Sequence, residues 1–112
     1  MREDGKLDYL ELPGGDLPAT KAFYGEAFGW RFIDYGPEYA AFGEGLDGGF
    51  DAQADATPTP LPVLFANDLE AMQAKVEAAG GTIAKPIFAF PGGRRFHFRD
   101  PAGNELAVWS ET

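Results

Sequence analysis

Apolar and polar residues alternate from Leu7 to Leu12. Leu10 and Leu12 fall on one side and Tyr9 and Glu11 on the other, the period of a half-buried strand. The pattern then changes to helical spacing. Asp16 stands where a helix N-cap belongs, Pro18 fits a first turn, and Phe23, Tyr24, Ala27 and Phe28 recur as a stripe predicted to be buried, until Gly29 stops the run. Trp30–Tyr35, Tyr39–Phe42 and roughly Phe50–Gln53 read as strands, with the glycines at 43–49 as turns. A polar, proline-bearing stretch, 54–60, reads as a linker. Beyond it the plan repeats. Leu61–Ala66 is a strand, and Leu69, Met72, Val76 and Ala79 share a helical face that ends at Gly80-Gly81. Thr82–Phe90 is strand-like, and Pro86 marks it as an edge or interrupted strand. Arg94–Arg99 alternates, Phe96 and Phe98 against Arg95, His97 and Arg99, before the turn DPAGN and a last strand, Glu105–Trp109.

The repetition has a fixed offset: 68 − 16, 69 − 17 and 81 − 29 all equal 52 for the Asp, the Leu and the Gly. Two copies of a β-α-β-β-β unit in 112 residues predict one α+β domain, with unit one at about 6–53 and unit two at about 61–110. Each helix should cover one sheet face, Leu10/Leu12 in the first unit and Phe96/Phe98 in the second. The other faces would carry Tyr9, Glu11, Arg95, His97 and Trp109. Two such curved sheets side by side would form a cup, a partly open barrel of mixed sheet.

Composition narrows the function classes. Apolar residues make up 45% and aromatics 14%, which suits a folded core rather than disorder. No apolar run is long enough to span a bilayer, and the first residues lack the apolar segment of a secretory signal, so no membrane partner and a cytoplasmic location are expected. With no cysteine, disulfides, zinc–thiolate sites and thiol nucleophiles are excluded. A net charge of −9 disfavours nucleic acid.

The segments YLELPGGDLPATKAFYGEAFGW, AAGGTIAKPI and FRDPAGNELAVW together resemble the vicinal oxygen chelate superfamily, the group of glyoxalase I, bleomycin- and fosfomycin-resistance proteins and extradiol dioxygenases. The resemblance covers nearly the whole chain. It implies the paired βαβββ cup and, through the habits of the family, a homodimer. It also implies four metal-ligand positions. In this chain they fall on Tyr9, seven residues before Asp16, on Leu61, seven before Asp68, on Ala107, four after Gly103, and at or within one residue of Asp51. Leucine and alanine cannot coordinate, so no metal and no cofactor are expected at the usual place.

Candidate chemistry then rests on few groups. His97, the one histidine, suits a general base at neutral pH, or else a hydrogen bond to a ligand or to the fold. Glu11 is a second candidate base, with Asp51 as a conceivable partner. Arg95 and Arg99 flank His97 on its face and Arg94 lies near. The cluster suits a carboxylate or phosphate, or Arg95 is the structural partner of Glu11, while Arg99 is expected in solvent or on Asp100. Tyr9 and Trp109 would wall the cup, or fill it. The leading reading is a metal-free module that binds a small organic, anionic aromatic ligand through Tyr9, Glu11, Asp51, Arg95, His97 and Trp109. The alternative is a lyase, isomerase or dioxygenase-type enzyme using His97, Glu11 or a metal at a shifted site. A third is a partner-binding protein with a filled cup.

Overall fold

A computed structural model describes residues 2–53 and 58–112; most of the expected linker, 54–57, lies outside the described residues. The element order is β1 (Leu7–Pro13), α1 (Leu17–Phe28), β2 (Ile33–Asp34), β3 (Tyr39–Glu44) and β4 (Leu46–Asp51). It continues with β5 (Leu61–Phe65), α2 (Leu69–Ala78), β6 (Thr82–Phe90), β7 (Gly93–Arg99) and β8 (Glu105–Ser110). This is an α+β fold with the β-α-β-β-β plan present twice. Contacts divide the chain into two compact units, Tyr9–Leu61 as the first and the N-terminal residues through Asp8 with Pro62–Thr112 as the second.

Both units are wired alike. In the first, β2, β3 and β4 run antiparallel and β4 pairs in parallel with β1, with Glu11 opposite Gly49 and Leu12 opposite Phe50. In the second, β6, β7 and β8 run antiparallel and β8 pairs in parallel with β5, with Val63 opposite Ala107 and Phe65 opposite Trp109. A parallel pair needs a crossover long enough to return the chain, and the helix with its following hairpins supplies it. The first residues close onto the second unit. Gly5 N–H donates to the Phe65 carbonyl at 2.8 Å, and Phe65 N–H donates to the Lys6 carbonyl at 3.1 Å.

The helix starts follow the sequence. Ala19 N–H donates to Asp16 Oδ1 at 3.3 Å and Ala71 N–H to Asp68 Oδ1 at 3.0 Å. Each cap satisfies one donor that the first turn leaves open, a contribution of about 1 kcal/mol. Gly29 ends α1 at φ +74°, a conformation that costs a side-chain-bearing residue more. One core gathers Leu17, Ala40, Phe42 and Phe50 with Leu12, Tyr24, Trp30 and Phe32 against α1. The other gathers Ala66, Leu69, Phe96 and Val108 with Met72, Val76, Ile83 and Phe98 against α2. Burying a ring such as Phe96, which is fully enclosed, contributes about 1.5–3 kcal/mol.

Three expectations are corrected. The apolar stripe of α1 does not face the sheet as a whole: Leu17 and, in part, Tyr24 do, but Phe23 and Phe28 stand 59% and 64% exposed. The core place expected for them is filled by Trp30 and Phe32. Trp30 stacks on Tyr24 at 4.9 Å and lies 4.8 Å from Phe42. For the same reason Trp30–Tyr35 is not one strand. The rings turn inward and only Ile33 and Asp34 pair with β3. The glycines at 43–49 are not all turn. The tight turn is at Gly45, φ +100°, while Gly48 and Gly49 sit inside β4. They are glycines for lack of space, since a Cβ on Gly48 would lie 2.3 Å from the Leu10 carbonyl oxygen and one on Gly49 2.2 Å from the Tyr39 hydroxyl. β6 pairs on one side, with β7, and its register shifts twice between Ile83 and Phe88, around Pro86.

Candidate functional site

Alternation decides which side chains leave the core. On β7, Phe96 and Phe98 point to α2, so Arg95, His97 and Arg99 occupy the opposite face. The antiparallel register sets Arg95 beside Trp109, His97 beside Ala107 and Arg99 beside Glu105. On β6, Lys85 is the cross-strand neighbour of His97 and Phe88 that of Arg95. One face of the second unit thus holds the histidine, two arginines and the indole.

His97 is fully buried. Its Nδ1 lies 2.9 Å from Glu105 Oε2, and Arg99 reaches the other oxygen of that carboxylate at 3.2 Å. Nε2 has no hydrogen-bond partner among the described residues. Burial, above all, lowers the His97 pKa, and Arg95 and Lys85 push the same way, against the raising effect of Glu105. The ring is therefore neutral at pH 7. A buried polar atom with no partner costs about 1–3 kcal/mol, so Nε2 is an expensive group to leave bare.

Aromatic rings surround these polar groups. The Arg95 guanidinium lies 5.4 Å from the Phe88 ring and 5.6 Å from the Phe90 ring, and His97 is 5.7 Å from Phe88. The Trp109 indole N–H donates to Asp8 Oδ2 at 2.9 Å. The Arg2 guanidinium stands 4.9 Å from its ring centre, and Phe65 and Phe90 approach at 5.4 and 6.2 Å. Trp109 is thus a fixed wall, with its polar tip satisfied and Arg2 over its ring.

The basic cluster is smaller than expected. Arg94 shares the parity of Phe96 and forks onto Glu70 of α2 at 2.6 and 3.1 Å, which holds the Glu70 carboxyl below its ordinary pKa. Arg99 is paired with Glu105, not Asp100. Asp100 instead accepts from both nitrogens of Asn104 and closes the turn.

In the first unit the face away from α1 carries Tyr9, Glu11, Tyr39 and Asp51. The hydroxyls of Tyr9 and Tyr39 are hydrogen-bonded to each other. Burial raises both phenol pKa values, so both stay protonated; two hydroxyls that share one bond leave one proton to give elsewhere. Glu11 is 8% exposed. Asp51, half-buried, accepts the Gln53 N–H at 2.9 Å. Sequence reasoning missed Tyr39, Asp8 and Glu105. The alternation Tyr39–Phe42 carries a signal for Tyr39, opposite in parity to the core residues Ala40 and Phe42. Glu105 is reachable from the DPAGN turn, which puts it across from Arg99. No spacing links Asp8 to Trp109.

Of the four positions that the resemblance assigns to metal ligands, Leu61 and Ala107 are apolar and fully buried, which leaves a phenol and a carboxylate. Among the described residues there is no group of three or more His, Asp or Glu side chains that could hold a metal ion. A phenol and one carboxylate are too few donors for a divalent metal centre.

Comparison with known proteins agrees with this fold. The curated proteins named "Putative glyoxylase CFP32" in Mycobacterium bovis and Mycobacterium tuberculosis are 26% identical over 94% of this chain. The match covers 45% of their length, so the chain spans about half of those relatives. The Mn(II)-bound glyoxalase of Novosphingobium aromaticivorans is similar at 26% identity and a TM-score of 0.67, over 99% of this chain and 40% of that one. The NAD-dependent benzaldehyde dehydrogenase structure from Legionella pneumophila superposes with a TM-score of 0.76 at 18% identity, over 93% and 98% of the two chains, a likeness of fold alone. A family model matches residues 6–108, across both β-α-β-β-β units, and the chain belongs to the Glyoxalase/Bleomycin resistance protein/Dioxygenase superfamily.

Proposed function

We propose that this chain is a metal-free, small-molecule-binding member of its superfamily, taking a small organic ligand that is aromatic and anionic. The observation that carries this reading is the face of the second unit on which Arg95, His97 and Trp109 lie side by side in strand register, among Phe65, Phe88 and Phe90. Ligand sites are mostly apolar with a few placed polar groups, and a cation beside aromatic walls suits an aromatic acid. Tyr9, Glu11 and Asp51, on the sheet face of the first unit away from its helix, are proposed as further ligand-binding residues. The missing donors at Leu61 and Ala107 support binding without the metal found in the Novosphingobium relative. The reading includes a homodimer and a cytoplasmic location.

The test is a panel of small aromatic acids and their amides, scored by thermal shift and then by calorimetry, alongside elemental analysis of protein purified without added metal. Arg95→Ala should weaken the acids more than the amides, by the margin of a charge-assisted hydrogen bond, roughly 1.5–3 kcal/mol. Equal weakening of both classes makes Arg95 structural. Stoichiometric metal that is lost in Asp51→Ala overturns the metal-free reading.

One observation favours a second reading, an isomerase- or lyase-type enzyme. A neutral, buried His97 oriented by Glu105 is the arrangement of a general base, and turnover abolished by His97→Gln with ligand affinity kept would establish it.

A further inference from the structure

We propose that His97 Nε2 is a hydrogen-bond acceptor reserved for a donor on the ligand, and that Glu105 is the positioning residue that sets this polarity. The inference rests on the small-molecule-binding reading above and narrows its ligand class to an aromatic acid that also bears a hydroxyl or N–H group.

The argument starts at Glu105. One oxygen is ion-paired with the Arg99 guanidinium at 3.2 Å and the other lies 2.9 Å from His97 Nδ1. A carboxylate that holds an arginine is ionised and only accepts, so the proton of the neutral imidazole must sit on Nδ1. Nε2 is then a lone pair without a proton. It is fully buried, and no described residue donates to it. Of its two cross-strand neighbours, Ala107 on β8 has no polar side-chain atom and Lys85 on β6 makes no hydrogen bond to Nε2. The second proton that would turn Nε2 into a donor is resisted by burial and by the positive charges of Arg95 and Lys85.

The polarity of the site follows. Arg95 supplies donors, His97 supplies an acceptor, and the Phe88 ring stands within 6 Å of both, at 5.4 and 5.7 Å. A ligand matched to this face carries an acceptor for the arginine and a donor for the histidine. A site built around an acceptor rejects an analogue that lacks the donor, because the lone pair is then left buried and bare.

The chain has one histidine, so its imidazole gives a single set of nitrogen signals. Long-range proton–nitrogen NMR of ¹⁵N-labelled protein should show Nδ1 protonated and Nε2 not; a protonated Nε2 in the unliganded protein overturns the proposal without any variant. The binding arm compares 3- and 4-hydroxybenzoate with 3- and 4-fluorobenzoate, similar in size but without the donor. At least one hydroxybenzoate should bind roughly tenfold tighter than its fluoro partner and move the Nε2 resonance. Glu105→Gln, whose amide can donate to Nδ1, should shift the proton to Nε2 and erase or reverse that preference, while Glu105→Asp should retain it. Equal binding of the hydroxy and fluoro acids, with Nε2 unmoved, overturns this inference and leaves the anionic aromatic reading standing. Failure of all four acids to bind removes that reading and this inference with it.

Discussion

At the residue scale the decisive group is His97. Its folded pKa is lowered, so the unfolded chain binds the proton more readily than the folded one below the ordinary value near 6.5. Folding stability is therefore complete above that value and falls as pH drops through the window beneath it. The slope approaches at most about 1.4 kcal/mol per pH unit for one proton. The charged groups that act on the ring are Glu105 on β8, Arg95 on β7 and Lys85 on β6. Urea unfolding measured between about pH 5.5 and 7.5 should show the slope in the parent and lose it in His97→Asn. Glu70 and Asp100 add their own loss of stability only further down, because both carboxyls titrate below their ordinary values. An unchanged slope in the variant would assign the acid sensitivity to other groups. The direction of His97 was legible from the Phe96/Phe98 alternation, and that of Arg94 was too, since it shares the parity of Phe96. The Glu105 contact was only half legible: the DPAGN turn sets Glu105 across from Arg99, but the reach of its carboxylate to His97 depends on rotamers, which a linear pattern does not encode.

At the element scale the sequence spoke plainly where a local rule has one solution. Both helix starts, the interruption of β6 around Pro86 and the strict alternation of β7 are of that kind. It misled where a residue type serves two purposes. Glycine usually marks a turn, but Gly49 is a strand residue that leaves room for the Tyr39 ring, and the aromatic stripe of α1 yields its core place to Trp30 and Phe32. Two glycine substitutions should therefore move stability in opposite directions. Gly49→Ala places a methyl 2.2–2.6 Å from Tyr39, displaces the ring from Tyr9, and should cost about 1–3 kcal/mol. Gly25→Ala, inside α1 with no foreign atom nearer than 3.7 Å, should stabilise by about 0.5–1 kcal/mol through helix propensity. Thermal unfolding of the two variants reads both signs. A neutral Gly49→Ala would mean that the ring moves aside freely and that the Tyr9–Tyr39 bond contributes nothing to the fold.

At the scale of the whole molecule the unabsorbed feature is a set of exposed apolar side chains on the first unit. Phe23 and Phe28 of α1 are more than half exposed and in edge-to-face contact at 6.3 Å, and Ile33 and Tyr35 stand 63% and 65% exposed in the same unit. Scattered exposed apolar residues need no explanation, but two contacting phenylalanines on one helix offer a partner ring area. The proposed occupant is a second copy of the chain. Each copy brings a net charge of −9, so repulsion opposes the pairing while apolar burial drives it. The signs of two responses follow. Added salt should strengthen the dimer, because it screens like charges and leaves ring contact intact. Phe23→Ser with Phe28→Ser should shift the population to monomer with the thermal midpoint of the monomer little changed, since neither ring lies in the core. Light scattering across a wide concentration range, at low and high salt, measures both. A monomer mass throughout removes the dimer. A dimer that weakens with salt and ignores the double substitution places the contact elsewhere, on an interface made of ion pairs rather than rings.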